Sequence, residues 1–335
     1  MPVKPRRSTL AEVSLCETSL TSSTRPKKLY GVKKIKIIAI VGPTASGKSG
    51  LAVSLAQKLN GEIISADSRQ VYIGMDIGTG KITKREMKRI PHYLLDVSSP
   101  KKEFNVSDFK ELAKQKIKEI ASRGKLPIIV GGTGFWIDSL VYDWKIPEVK
   151  PDKKLRAKLE KLSTEKLFIK LKKLDPERAK NIDAKNRRRL VRALEIVIST
   201  GEKIPETKLS YDISPYEALI LGINPPKEIL EKKIKQRLIQ RLKSGMIREI
   251  KNLHENGVSW KRLDDFGLEY RYISRYLRGW IGYKQMSEEL YKEICRYAKR
   301  QMTWFRRNKS IKWFVDSSMP LRYSADKTLW RSLKR

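Results

Sequence analysis

Residues 42–49 read Gly42-Pro43-Thr44-Ala45-Ser46-Gly47-Lys48-Ser49, which matches the phosphate-loop pattern G-x-x-x-x-G-K-[ST]. The apolar run over 34–42 predicts a strand before this loop, and the apolar spacing over 49–59 predicts a helix after it. In such a loop, backbone N–H groups close around phosphate oxygens and the helix N-terminus adds a favourable dipole. Lys48 adds a positive charge and Ser49 offers a hydroxyl to Mg²⁺, so we expect a diphosphate or triphosphate ligand with Mg²⁺ as cofactor.

The alternation of strand and helix continues along the chain. Helical spacing predicts helices at about 107–123 and 287–307, and apolar runs predict further strands over 62–67, 126–132, 216–223 and 311–315. Strands separated by helices are typical of a parallel sheet covered by helices. The sequence therefore predicts an α/β fold, a P-loop NTPase-like parallel sheet covered by helices and carrying a helical insertion domain.

Composition divides the chain into three kinds of segment. Residues 1–33 are rich in Ser, Thr, Lys and Pro and predict a flexible basic tail. Residues 147–213 are lysine-rich, helix-prone and bracketed by prolines, so we interpret them as a helical insertion. The remaining residues, 34–146 and 214–335, are predicted to form the catalytic core with its C-terminal helices.

The charge of the chain is strongly positive and unevenly placed. The 335 residues include 73 Lys plus Arg and 37 Asp plus Glu, a net charge of +36, and residues 151–335 hold 46 of the basic and 23 of the acidic side chains. Lysine-rich solvated helix faces would explain part of this excess. Arginine clusters at 186–189 and 303–307, the second of which contains Trp304 and Phe305, favour a nucleic-acid surface instead. No continuous apolar stretch approaches the length of a membrane span, and the N-terminus lacks the apolar core of a signal peptide, so we expect a soluble cytoplasmic protein with no membrane partner.

Two polar residues stand at the ends of predicted strands, and a histidine is a third candidate. Asp67 ends the second strand and Thr133 follows Gly131-Gly132 at the end of the third, where open parallel sheets bind ligands. Each has a plain structural alternative, because Asp67 could be a turn or cap aspartate and Thr133 a helix N-cap. His92 lies among apolar neighbours, which favours a hydrogen-bonded core histidine.

Several strings resemble the tRNA dimethylallyltransferase (tRNA isopentenyltransferase) family, bacterial type. They are Gly-Pro-Thr-Ala-Ser-Gly-Lys-Ser at 42–49, Ser-Ala-Asp-Ser-Arg-Gln-Val-Tyr at 65–72, Gly-Met-Asp-Ile-Gly-Thr-Gly-Lys at 74–81, Pro-His-Tyr-Leu-Leu-Asp at 91–96, Gly-Gly-Thr-Gly-Phe-Trp at 131–136, and the later strings at 188–195 and 298–306. The resemblance covers about residues 34–315.

The resemblance implies a prenyl transfer to RNA. The family moves a dimethylallyl group from dimethylallyl diphosphate to N6 of adenosine 37, next to the tRNA anticodon, and releases diphosphate. By resemblance Asp67 is the general base and Thr133 a catalytic-site position, while residues 42–49 hold the diphosphate with Mg²⁺ at Ser49. The implied partners are dimethylallyl diphosphate and the tRNA anticodon stem-loop, gripped partly by the insertion, and we expect a monomer.

Family positions for tRNA contact fall on mostly basic or polar residues of this chain. They are Asp67, Ser68, Arg69, Gln70, Arg156, Arg188, Arg189, Arg192, Lys299, Arg300, Gln301, Thr303, Trp304 and Arg306. One segment departs from the family. Gly267-Leu268-Glu269-Tyr270 stands where Gly-Tyr-Lys/Arg-Glu/Gln is common, and Asp264-Asp265 precede it, so negative side chains replace a positive contact.

Other functions would use the same phosphate loop. An adenylate isopentenyltransferase would prenylate a free nucleotide but would need neither the insertion nor the basic tract at 298–307. A small-molecule kinase would bind ATP at the loop and transfer a phosphate. A phosphate-loop protein that only binds RNA would not depend on Asp67.

Overall fold

The computed structural model describes residues 34–147, 149–204 and 210–318, so the predicted tail over 1–33 lies outside the described residues. Six parallel strands form one sheet in the order β3-β2-β4-β1-β5-β6. The strands are β1 (Lys36–Val41), β2 (Gly61–Ser65), β3 (His92–Tyr93), β4 (Leu126–Val130), β5 (Glu217–Ile223) and β6 (Lys312–Phe314). The predicted α/β fold with a helix-covered parallel sheet is confirmed.

Strand β1 lies inside the sheet because its residues can be buried on both faces. Ile38 is aligned with Ile128 of β4 on one side and with Leu219 of β5 on the other. Residues 37–41 are all buried, as a continuous apolar run in a parallel sheet requires. Parallel pairing brings the carboxyl ends of β1, β2 and β4 to one edge, where the phosphate loop, Asp67 and Thr133 follow them.

Helices occupy most of the remaining chain. Four belong to the first part of the core: α1 (Lys48–Leu59), α2 (Lys84–Met87), α3 (Val106–Ser122) and α4 (Gly134–Val141). The next four lie within the predicted insertion: α5 (Lys153–Leu159), α6 (Thr164–Leu174), α7 (Pro176–Asn181) and α8 (Arg187–Thr200). The last five are α9 (Lys227–Lys243), α10 (Met246–Glu255), α11 (Trp260–Phe266), α12 (Leu268–Leu277) and α13 (Tyr283–Phe305).

Helices α5 to α8 pack around an apolar cluster of their own. Leu167 and Leu171 of α6 and Leu190 and Leu194 of α8 are fully buried in it. Glu195 of α8 is also fully buried, where it is held by two arginines. The helical character predicted for 147–213 is therefore found over 153–200. The division of the chain into domains stays a prediction.

Helix α13 contributes the apolar stripe that its sequence spacing predicts. Leu290, Ile294 and Ala298 are buried and pack into the main core. The helix begins at Tyr283, four residues before the predicted start, because Gly282 adopts an extended N-cap conformation. Among the described helices, none combines the length and the hydropathy needed to cross a membrane.

Candidate active site

The phosphate loop connects β1 to α1 as predicted, and its glycines are required by space. Gly42 has a φ of 142°, and a Cβ there would lie 2.3 Å from the carbonyl oxygen of Ile223. Gly47 has a φ of 95° at the N-cap of α1. Both positions lie in a backbone region that L side chains rarely adopt, so the loop geometry depends on glycine.

Two side chains of the loop, Lys48 and Ser46, are suited to bind an anion. Lys48 Nζ donates to the carbonyl oxygen of Pro43 at 2.5 Å. Burial and the nearby Arg237 lower the pKa of Lys48 to about 7, although Asp67 opposes the shift. Among the described residues, Ser46 Oγ is a buried polar atom with no hydrogen-bond partner. An anion in the loop would satisfy Ser46 and favour the protonated form of Lys48.

A cavity opens from the phosphate loop across the carboxyl ends of the strands. Lys48 and Ser49 lie at one part of its wall, and Asp67 and Gln70 follow β2 at another. Helix α9 contributes Arg237 and Arg241, and the start of α12 contributes Glu269. The structure therefore brings the predicted phosphate site and the predicted base into one cavity.

Asp67 and Thr133 are held in the cavity region by a short hydrogen-bond network. Asp67 Oδ1 accepts from the backbone N–H of Arg69 at 2.9 Å, which is the turn geometry considered from sequence. Thr133 Oγ1 accepts from the N–H of Ser68 at 3.1 Å and makes no cap hydrogen bond to α4. Thr133 is therefore the N-cap residue of α4, as its structural alternative expected, but its hydroxyl does not cap the helix and instead ties the end of β4 to the segment that carries Asp67.

Two arginines of α9 are cavity residues that the sequence analysis missed. Arg237 Nη2 donates to the carbonyl oxygen of Gly80 at 3.1 Å, and burial lowers the pKa of Arg237 to about 10. Arg241 Nη1 donates to Glu269 Oε1 at 3.1 Å. Spacing i, i+4 places both on one helix face, but the many other basic residues of the chain concealed that signal. With Lys48, they put three cationic side chains in the lining of one cavity.

The segment that departs from the family pattern contributes to this lining. Glu269 is buried at 8% exposure, and burial raises its pKa although Arg241 lies beside it. The two preceding aspartates are paired, since Asp264 lies 3.5 Å from Arg271 and Asp265 lies 2.6 Å from Arg188. Each of the three negative charges thus has an arginine partner.

Apolar side chains complete the cavity next to the charged groups. Ile82, Leu95, Val130, Leu268 and Ile294 lie in the same lining as Asp67. His92 is half-buried there, with Nδ1 2.8 Å from the carbonyl oxygen of Ile90, instead of lying in the core. The cavity can therefore hold a ligand with an anionic end and a short aliphatic part.

Known proteins share sequence and fold with this chain. Residues 70–308 match the family model described as IPP transferase. The tRNA dimethylallyltransferase of Thermoanaerobacter sp. (strain X514) is 44% identical over 288 residues, which cover 84% of this chain and 91% of that protein.

The chain belongs to the tRNA dimethylallyltransferase family.

Solved structures of this family share the fold. The tRNA isopentenylpyrophosphate transferase of Bacillus halodurans superposes with a TM-score of 0.67 at 36% identity, covering 90% of this chain and 98% of that one. A eukaryotic dimethylallyltransferase acting on tRNA superposes with a TM-score of 0.73 at 27% identity, covering 89% of this chain and 78% of that one.

Within this family member, Gln301 occupies a buried position between loop and strand. Its Oε1 accepts from the N–H of Thr44 at 2.8 Å, and its Nε2 donates to the carbonyl oxygen of Gly132 at 2.9 Å. Trp304, one turn further along α13, donates from Nε1 to Asp138 Oδ2 at 2.6 Å. Both residues were expected to contact tRNA, and the structure shows that Gln301 ties α13 to the phosphate loop and the end of β4, whereas Trp304 ties α13 to α4.

Nine of the other expected tRNA contacts fall into two groups, while Ser68 donates to Thr133 and Gln70 lines the cavity with Asp67. Arg156 and Arg192 are half-buried and donate to Glu195 at 2.8 and 2.6 Å, so part of their donor capacity is used within the protein. Arg69 also donates inward, to the carbonyl oxygen of Phe266 at 2.9 Å. The exposed group consists of Arg188, Arg189, Lys299, Arg300, Thr303 and Arg306. Contact of either group with tRNA stays a prediction.

Proposed function

We propose that this family member transfers a dimethylallyl group from dimethylallyl diphosphate to N6 of adenosine 37 in tRNA and releases diphosphate. The observation that carries the proposal is the shared cavity. The phosphate loop, the carboxylate of Asp67 and a group of aliphatic side chains all line it. That combination matches a substrate with a diphosphate end, a short aliphatic end and a proton to remove.

The reaction would require little more than these groups. The N6 lone pair of adenine is delocalised into the ring, so N6 is a weak nucleophile and needs a positioned base. The new bond joins N6 to C1 of the dimethylallyl group while the C1–O bond breaks and its electron pair leaves with diphosphate. Asp67 Oδ1 is oriented by the Arg69 amide at 2.9 Å, and we assign the N6 proton to Oδ2.

The three cations would stabilise the charge that develops on the leaving diphosphate. Lys48, Arg237 and Arg241 line the cavity together, and Lys48 follows directly on the loop amides. Preorganised cations in a partly water-excluded site act more strongly than they would in bulk water. We propose Mg²⁺ as the cofactor, with the Ser49 hydroxyl as its protein ligand beside phosphate oxygens. Mg²⁺ would neutralise part of the diphosphate charge.

We further propose the anticodon stem-loop as the RNA partner. The adenine must leave its stack to reach Asp67, so contacts on both sides should hold the loop open. We assign these contacts to Arg188 on α8 and to the exposed basic residues of α13, which lie on two different elements. A tRNA substrate is expected in the cytoplasm. We expect the protein to act as a monomer.

Mass spectrometry of a nuclease digest tests this function. Dimethylallyl diphosphate with an unmodified tRNA pool should give prenylated adenosine, and AMP in place of tRNA should give none. Efficient prenylation of AMP with inert tRNA would instead establish the adenylate isopentenyltransferase. ADP release from ATP over a panel of small metabolites would establish a kinase.

A further inference from the structure

A carboxylate outside the cavity organises one of its loops. Glu249 on α10 accepts hydrogen bonds from the backbone N–H groups of Asp76 at 3.0 Å, Ile77 at 2.6 Å and Gly78 at 3.0 Å. It also accepts from the hydroxyl of Tyr270 at 2.9 Å. Three successive backbone N–H groups around one anion form a nest, a compact way to fix a loop conformation.

The opposite side of the same loop faces the cavity arginines. The carbonyl oxygen of Gly80 accepts from Arg237 Nη2 at 3.1 Å, and that of Gly78 lies 3.4 Å from Arg241 Nη1. The loop therefore presents its N–H groups to Glu249 and its carbonyl oxygens to Arg237 and Arg241. A displacement on the first side moves the acceptors on the second.

Space around Gly78 leaves the loop little freedom. A Cβ at Gly78 would lie 2.7 Å from Cζ of Tyr270, the residue whose hydroxyl donates to Glu249. A Cβ at Gly80 would lie 1.6 Å from Nη2 of Arg241. Tyr270 thus holds the loop by contact and Glu249 holds it by hydrogen bonds.

We propose that Glu249 is a positioning residue for the diphosphate site, acting through the loop at 76–80 to aim Arg237 and Arg241 into the cavity. The inference rests on the proposed function only in assigning those arginines to diphosphate. Residues 267–270, which depart from the family pattern, take part through Glu269 on Arg241 and Tyr270 on Glu249. We therefore assign this segment to the organisation of the cavity.

Diphosphate binding measured by calorimetry tests the proposal without requiring prenyl transfer. Glu249→Gln keeps one neutral acceptor oxygen and removes the charge, so we expect the Kd for diphosphate to rise about tenfold or more, as for other residues that orient binding groups. Gly78→Ala should shift the same loop from the side of Tyr270 and give the same change. The matched controls are Glu255→Gln on the same helix and Gly282→Ala, whose added methyl group meets open space.

Two further measurements separate positioning from a role in stability alone. In an Arg237→Met, Arg241→Met background, Glu249→Gln should change the Kd for diphosphate by less than about threefold, because the groups it aims are gone. The Kd for tRNA should change by less than about threefold in every Glu249 variant.

Unchanged diphosphate affinity in folded Glu249→Gln or Gly78→Ala, with only a lower Tm, would overturn the proposal. So would an equal effect in the double-arginine background. Tight diphosphate binding without prenyl transfer would overturn the proposed function alone.

Discussion

Diphosphate binding should be coupled to proton uptake by Lys48. Burial, with help from Arg237, lowers the pKa of Lys48 to about 7. A side chain with that pKa is only about 3% protonated at pH 8.5. A bound diphosphate raises the pKa again, because its negative charge lies beside the ammonium group. Binding at pH 8.5 should therefore take up nearly one proton at this residue.

The size of the effect follows from the distance between the pH and the pKa. A pH of 8.5 lies about 1.5 units above the pKa of Lys48, so protonating its neutral form costs about 2 kcal/mol. Diphosphate binding at pH 8.5 is therefore about 30-fold weaker than it would be with Lys48 already charged. Below pH 6 the residue is already charged and the penalty vanishes. Lys48→Arg, which stays protonated throughout, should lack this part of the pH dependence.

Titration calorimetry in two buffers of different ionisation enthalpy measures the proton count directly. The protons of diphosphate itself are common to all variants and cancel in the comparison. Wild type should take up nearly one proton more than Lys48→Arg and Lys48→Met at pH 8.5, and Lys58→Met on the same helix should behave as wild type. Equal proton uptake by wild type and Lys48→Arg would refute the reasoning.

Three further predictions concern stability and RNA binding. Burial raises the pKa of Asp138 to about 7, so its contribution to stability is present at low pH and is lost as pH rises from about 4 to 7. The free energy of unfolding of Asp138→Asn relative to wild type should rise by up to about 4 kcal/mol over that window. A difference between the two proteins that stays constant with pH would contradict the raised pKa of Asp138. Glu195→Gln should cost roughly 3 kcal/mol in urea unfolding, because it removes the buried negative charge that pairs with Arg156 and Arg192, and a loss below about 0.5 kcal/mol would contradict this expectation. The Kd for tRNA should rise at least about 100-fold between 50 and 200 mM salt, since part of the charge of +36 is assigned to RNA contact, and salt-insensitive binding would assign that part to solvated surface instead.

The local parts of the site were predictable from sequence because they are encoded in neighbouring residues. The pattern over 42–49 fixes a strand, a glycine-dependent loop and a helix, and all three are confirmed. Asp67 and Thr133 could be placed because parallel strands bring their carboxyl ends to one edge of a sheet. The structure adds the bond from Ser68 to Thr133 that joins them.

The cationic lining could not be predicted, because it depends on the packing of distant segments. Arg237 and Arg241 reach the cavity from a helix more than 150 residues after the glycines they contact. In a chain with 73 basic side chains, their spacing alone did not distinguish them. Strand β3 spans only His92–Tyr93, too short to give an alternating pattern, and it exists because β2 offers it a partner. Glu249 lacked a signal for the same reason, since its donors are backbone groups of another segment.

The central claim is that Asp67 removes the N6 proton, and Asp67→Asn tests it most directly. Asparagine can keep the hydrogen bond that Oδ1 receives from Arg69 at 2.9 Å but cannot act as the base. Asp183→Asn is the matched control, because Asp183 makes the same turn contact with the N–H of Lys185 at 3.1 Å in the insertion. With saturating dimethylallyl diphosphate and tRNA in single turnover, Asp67→Asn should lower the rate by about 1,000-fold or more while the Kd for tRNA stays within about threefold. A rate within tenfold of wild type, or a loss of tRNA binding equal to the loss of rate, would contradict the claim.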